Sequence, residues 1–354
     1  MRVAHLIALA LALHSAPAST PERAVALLAN DEVVSVSLPS GRALFRQRVG
    51  PKLPATRTEP GRMLARSDRR IFVLVPSAAG SDSVVVLSAR SGAILARWSL
   101  EPGVRYRGLV FAADRVLAYG GRLGQEVDRA NHVREQSAVV TQLDGANGAL
   151  VNTTEIRAAE RHSWWIYWGS ADATRLALSY HGGCFSEFVQ LCTSGADVLD
   201  ISGAQLKRCE HVSSHLTLGC LEEAHGMIEP YGVGWIATTG GEELVQYGRD
   251  GRVLRRLHSG IRKEHLMDFA FTRDRGGVLV IGSCFGGEGL RRISLRTGRS
   301  TLVRPRLCGG SVAAGRRALV VRKSESIQIC TPATARACRT KRLGAEIVDL
   351  MLVD

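Results

Sequence analysis

Short apolar runs rich in β-branched residues recur along the chain, separated by Gly, Asp, Ser and Arg. Examples are "RIFVLVP", "SVVVLSA", "GGVLVIG" and "RALVVRK". Runs this short and this closely spaced predict β-strands, and amphipathic helical periodicity is scarce. Two units alternate. The first is a strand, a tight glycine turn and another strand: "VSLPSGRALFRQ", "VLSARSGAILARW", "QLDGANGALVNT", "VLDISGAQLKRC", "QYGRDGRVLRRL" and "RISLRTGRSTLV". Their turn glycines are Gly41, Gly92, Gly148, Gly203, Gly251 and Gly298, 47 to 56 residues apart. A seventh copy, "IQICTPATARACR", lacks the glycine, and Cys330 and Cys338 flank its turn, where a disulfide would pin the hairpin. The second unit reads "LARSDRRIFVLV", "VFAADRVLAYGG", "GSADATRLALSY", "FTRDRGGVLVIG" and "VAAGRRALVVRK": a strand, a polar turn, then a very apolar strand.

Alternating the two units gives four strands per roughly 50 residues, the content of a propeller blade. The expected fold is all-β, a seven-bladed β-propeller with four-stranded blades. The termini suit closure. "RAVALLAN" near the start is already a second-type strand, and "GAEIVDLMLVD" at the end is one lone strand. Joining them completes the first blade and removes an exposed sheet edge. A pair of β-sandwiches and an eight-bladed ring are the rival architectures; a sandwich requires no regular period.

The opening "MRVAHLIALALALHSAPAST" has a positive Arg2, an apolar core from Leu6 to Leu13 and an Ala16-Pro17-Ala18 cleavage signal. It reads as a signal peptide over 1–18, leaving a single propeller domain over 19–354 in a secreted or periplasmic protein. No later stretch reads as a transmembrane segment. Export gives the eight cysteines a meaning, since an even set outside the cytosol forms disulfides. They are Cys184, Cys192, Cys209, Cys220, Cys284, Cys308, Cys330 and Cys338. Eight cysteines allow 105 connectivities. Blade geometry favours Cys284 with Cys308, Cys184 with Cys192, and Cys209 with Cys220. The formal net charge of +13 comes almost entirely from arginine. An anionic surface, such as acidic glycan or lipid headgroups, is one partner class. The arginines form no long basic run, which favours solvated strand faces instead.

"LSARSGAILARWSL" resembles the repeat of the quinoprotein-dehydrogenase-like (PQQ-repeat-like) propellers. Ala89, Ser91, Gly92 and Trp98 fall near that pattern, and "ISLRTGRSTLV" retains Thr297 and Gly298. The resemblance implies the propeller architecture. The adjacent cysteine pair that quinone-binding members carry is missing, so no quinone, and no other cofactor, is expected. WD40-like repetition is present only as rhythm, without the WD40 signatures.

In such a blade, the loop after the second strand and the link to the next blade emerge on one face, the top. "SYHGGCFSEF" and "IGSCFGGEGL" are then equivalent top loops of blades 4 and 6. His132, His162, His181, His211, His215, His225, His258 and His265 all map to top loops or strand ends. Trp164 and Trp165 begin an inner strand there. The candidate ligand face is therefore His181, His211, His215, His225, His265, Trp164 and Trp165, since imidazole and indole suit metals, sugars and apolar ligands. The competing reading packs Trp164, Ile166 and Trp168 against one neighbouring blade, and Trp165 and Tyr167 against the other. "CEHVSSHLTLGCLEEAH" has zinc-compatible types, but Cys209 and Cys220 are better used as a disulfide, so no metal site is assigned. No G-x-S-x-G elbow, P-loop or dinucleotide fingerprint is present. Glu222-Glu223 and Glu242-Glu243 alternate to opposite strand faces, and "GGRLG" (Gly120 to Gly124) reads as a loop. No catalytic residue and no nucleic-acid partner are assigned. The expectation is a non-catalytic exported scaffold binding a protein or glycan ligand. The alternative is a propeller lyase, lactonase or glycan-active hydrolase using His and Glu at the top channel mouth.

Overall fold

The computed structural model describes residues 22–50, 61–77, 81–128, 133–157, 164–182, 194–203, 207–208, 221–222, 224, 226–239, 242–261, 266–282, 289–316, 318–330 and 337–353. Seven antiparallel sheets form the blades of a propeller, and no helix occurs among the described residues. Six sheets have four strands; the fourth has a fifth segment, Leu221–Glu222, beside its third strand. The inner strands of blades 2 to 7 are Leu64–Arg66, Val104–Ala112, Trp164–Ala171, Ile228–Tyr231, Leu266–Phe271 and Ser311–Ala314. Blade 1 is closed as expected: its inner strand is the C-terminal Ile347–Val353, antiparallel to Arg23–Leu28.

The second strands are apolar because each is covered on both faces by its neighbours. Ile71–Val75 and Val278–Ile281 are buried throughout. The core is accordingly a set of apolar clusters lying in the seams between blades. Each fully buried Val, Leu or Ile contributes roughly 1.5–3 kcal/mol.

The hairpin glycines have two jobs. Gly41, Gly92, Gly148, Gly251 and Gly298 take φ between 74° and 79°, which costs glycine nothing. Several also receive the outer strand of the preceding blade. A Cβ on Gly92 would lie 2.4 Å from the Phe45 ring, and one on Gly148 would lie 2.3 Å from Trp98. Trp98 sits late in its repeat because it covers the next blade's turn. Its ring also lies 5.7 Å from Phe72.

Arginine stitches the seams. Blades 1 to 4 each open the second strand with one: Arg23, Arg70, Arg115 and Arg175. Each donates to a backbone carbonyl of the following blade. Arg23 reaches Ala89, Arg70 reaches Gly145 and Ala146 (2.7 and 2.6 Å), Arg115 reaches Gly203 (2.8 Å), and Arg175 reaches Val233 (3.0 Å). From outer strands, Arg255 holds the carbonyls of Leu295 and Arg296, and Arg339 holds Ser40. Many arginines are thus structural donors rather than a solvated coat.

Cys330 and Cys338 are register partners and disulfide-bonded, the staple expected for the glycine-free seventh hairpin. Cys308 is disulfide-bonded too. Cys184, Cys192, Cys209, Cys220 and Cys284 lie outside the described residues.

Two local expectations are corrected. Gly120 to Gly124 is not a loop but part of the second strand of blade 3, Arg115–Asp128. There Gly120 lets the Arg105 carbonyl come within 2.2 Å of where a Cβ would stand. Strict alternation also fails in blade 4, because the register slips between Ile166 and Trp168. Trp168 packs into the seam between blades 4 and 5 and reaches the channel lining, so parity counted from Trp164 does not describe it.

Candidate functional site

The inner strands surround an axial channel with a cavity of about 1000 Å³. An inner strand is an edge strand, so its outward N–H groups need acceptors that the sheet does not supply. The sequence meets this need with a repeated device. The inner strands of blades 1, 3, 4 and 6 each slip register by one residue. The residue after the slip is Asp349, Gly108, Trp168 or Asp268.

In blade 6, the Asp268 carboxylate accepts from its neighbour Phe269 (2.6 Å) and from Val312 of blade 7 (2.8 Å). In blade 1, Asp349 accepts from Leu350 (2.7 Å) and from Leu64 of blade 2 (2.8 Å). At the seam between blades 2 and 3, the Arg62 carbonyl does the same for Leu109 (2.7 Å). Both aspartates are buried. Burial pushes the Asp268 carboxyl up to about 8, against the N–H donors and the Arg322 charge, which favour its anion. Asp349 is raised for the same first reason, opposed by Leu64, Arg62, Leu350 and Arg322.

Glu229 of blade 5 completes the polar girdle. It forms an ion pair across the channel with Arg62 and accepts from Ser170 Oγ at 2.8 Å. The Arg62 guanidinium lies 4.8 Å from the Trp168 ring centre, a cation–π contact. Arg322 donates to the carbonyl of Val348 at 2.6 Å, tying blade 7 to blade 1. Tyr119 stands behind this girdle. Cβ atoms on Gly108 or Gly169 would overlap its hydroxyl and ring at 2.2 and 2.4 Å. Burial pushes its hydroxyl up to about 12. Below the girdle the lining turns apolar: Phe111, Ala171, Phe271, Ala314 and Leu352, with Arg66 at the rim.

Among the described residues the top face is asymmetric. The second and third strands of blade 3 continue past the last inner-strand pair, Val104 with Arg122, and remain paired to Asp128 and Val133. The added paired length from Leu123 to Asp128 amounts to about 20 Å of strand at about 3.3 Å per residue. Beside it, blade 4 places Trp165 opposite His181 and Trp164 opposite Gly182 in backbone register. His258 ends the outer strand of blade 5, with Nδ1 3.3 Å from Glu243 Oε1. His132, His162, His211, His215, His225 and His265 lie outside the described residues. The sequence reading missed Arg62, Glu229, Asp268, Asp349 and Arg322. Its available signal was a lone aspartate inside two apolar inner strands, "LMDFAF" and "IVDLMLV".

No family model matches the chain, and no curated protein matches it. Solved structures share its shape. AztD from Citrobacter koseri, in its apo form, superposes with a TM-score of 0.58 at 11% identity, covering 94% of this chain and 98% of that one. A candidate 6-phosphogluconolactonase from Bacteroides fragilis NCTC 9343 gives 0.63 at 12% identity, covering 96% and 99%. At such identities the likeness is one of fold alone. The quinoprotein-like resemblance likewise goes no further than the propeller architecture.

Proposed function

We propose that this chain is an exported, non-catalytic propeller that serves as a binding scaffold for a protein or glycan ligand, through the top face of blades 3 and 4. The observation that carries this reading is the paired ribbon ending at Asp128 and Val133, which extends past the inner strand of a ring whose channel aspartates are bonded across its seams. A rigid ring with a projecting ribbon presents a preformed surface, which lowers the ordering cost of association. The proposed ligand face on this side is the one expected from the sequence: His181, His211, His215, His225, His265, Trp164 and Trp165. Processing after Ala18 would deliver the domain to an oxidising compartment, in keeping with the Cys330–Cys338 bridge.

A second reading, a propeller lactonase or related hydrolase, draws on one observation. Asp268 lines the channel with its carboxyl pushed up to about 8, in reach of general-acid chemistry at neutral pH. One experiment separates the two. The ribbon tip, residues 123–136, is replaced by a two-residue turn, and both proteins are cross-linked in the secreted fraction of the source cells. The scaffold reading expects the shortened protein to keep its Tm and lose a specific partner that the full chain retains. Turnover of 6-phosphogluconolactone by the full chain, abolished by Asp268→Asn, would instead establish the hydrolase.

A further inference from the structure

The charge of this molecule is concentrated in one sector. Residues 289–345 carry fourteen Lys and Arg and one carboxylate, Glu325; the rest of the chain carries thirty-two of each sign. The whole net charge of +13 therefore sits in one fold segment. It runs from Leu290–Ser294 of blade 6, through the outer strand Ser300–Arg304, to Cys338–Arg342, the outer strand of blade 7. These are adjacent sheets, so the sector is a continuous wedge of the rim. Scatter along the sequence had concealed it, because balanced pairs elsewhere cancel.

Elsewhere on the rim, several basic side chains face carboxylates: Arg46 with Glu32, Arg252 with Asp250, and Arg256 with Glu243; in the wedge, Arg292 lies 3.8 Å from Asp274. In the wedge, Arg296, Arg299, Arg306, Arg339 and Arg342 are exposed, and the outer hairpin of blade 6 contains no acid at all. The basic positions run the height of the rim. Arg296 and Arg299 lie in the hairpin turn at the bottom, and Arg306 lies in the link at the top.

We propose that this wedge binds an acidic polysaccharide. Arginine forks pair bidentately with carboxylate and sulfate oxygens, and a flexible polyanion can follow a convex rim. Segment 289–345 contains no Trp, Tyr or Phe. It thus offers neither stacking platforms for bases nor aromatic anchors for a bilayer interface. Among its described residues the one large exposed apolar side chain is Leu302. The disulfide at its end points to an oxidising compartment.

The test uses the mature chain with dextran sulfate, polygalacturonate, uncharged dextran, and vesicles of phosphatidylglycerol in phosphatidylcholine. Affinity for one or both acidic polysaccharides is expected, falling with salt as counterions are released. Arg296→Glu, Arg299→Glu and Arg342→Glu together should weaken it about tenfold or more at fixed salt. The same charge change made on blades 1 and 2, by Arg42→Glu, Arg48→Glu and Arg90→Glu, should change it less than about twofold. Unchanged Tm in both triple variants keeps the comparison clean. Equal losses in the two variants would overturn the proposal, as would binding to the vesicles without binding to either acidic polysaccharide, or no binding to either polysaccharide.

Discussion

At the scale of single residues, the buried aspartates have the clearest consequences. Asp268 carries its proton up to about 8 in the folded protein. The unfolded chain releases that proton near the ordinary carboxylate value of about 4. Between those limits the folded state binds more protons than the unfolded one, so the share of stability due to Asp268 falls as pH rises. The Tm of the wild type should therefore decline across this window more steeply than that of Asp268→Asn. A residual slope is expected in the variant, because Asp349 is shifted in the same direction. Parallel curves from scanning calorimetry would contradict the assignment. These residues were hard to read in advance. Asp268 serves an N–H 44 residues away, and Asp349 serves one 285 residues away. A lone acid in an apolar strand was visible, but its acceptor role depends on which strand the ring places beside it.

At the scale of the element, the repeat was legible because its signals are local. A glycine in a hairpin turn and a β-branched second strand are decided by neighbours two to six residues away. The register slips were not legible, since one inserted residue reverses the facing of everything beyond it; Trp168 shows the effect. The seam arginines occupied plain view as the first residue of four second strands, yet their carbonyl partners belong to the next blade. The hairpin glycines allow a quantitative check. Gly148→Ala introduces both a left-handed alanine and an overlap with the Trp98 ring, for about 3 kcal/mol together. Gly344 also has positive φ, at 89°, but nothing within 4 Å of its would-be Cβ. Gly344→Ala should then cost only the backbone part, about 1 kcal/mol. Urea titrations giving equal losses would remove the packing role assigned to Gly148.

At the scale of the whole molecule, closure rests on Ile347–Val353. This strand pairs with Arg23–Leu28, supplies Asp349 to blade 2 and offers the Val348 carbonyl to Arg322. A chain ending at Glu346 leaves a long apolar edge uncovered and two seams unbonded. It is expected to lose its cooperative melting transition and to associate on gel filtration. A monomer with the wild-type Tm would show that the ring does not depend on this strand. The basic wedge has a different consequence at the same scale. A neutral body with all its excess charge in one sector is an electric dipole lying in the plane of the disc. Near an acidic surface it feels a torque as well as an attraction, and it turns its loaded edge inward. Held edge-on in this way, the molecule would keep both axial ends open to solution, so that the proposed capture at the perimeter and the proposed recognition by the ribbon are compatible.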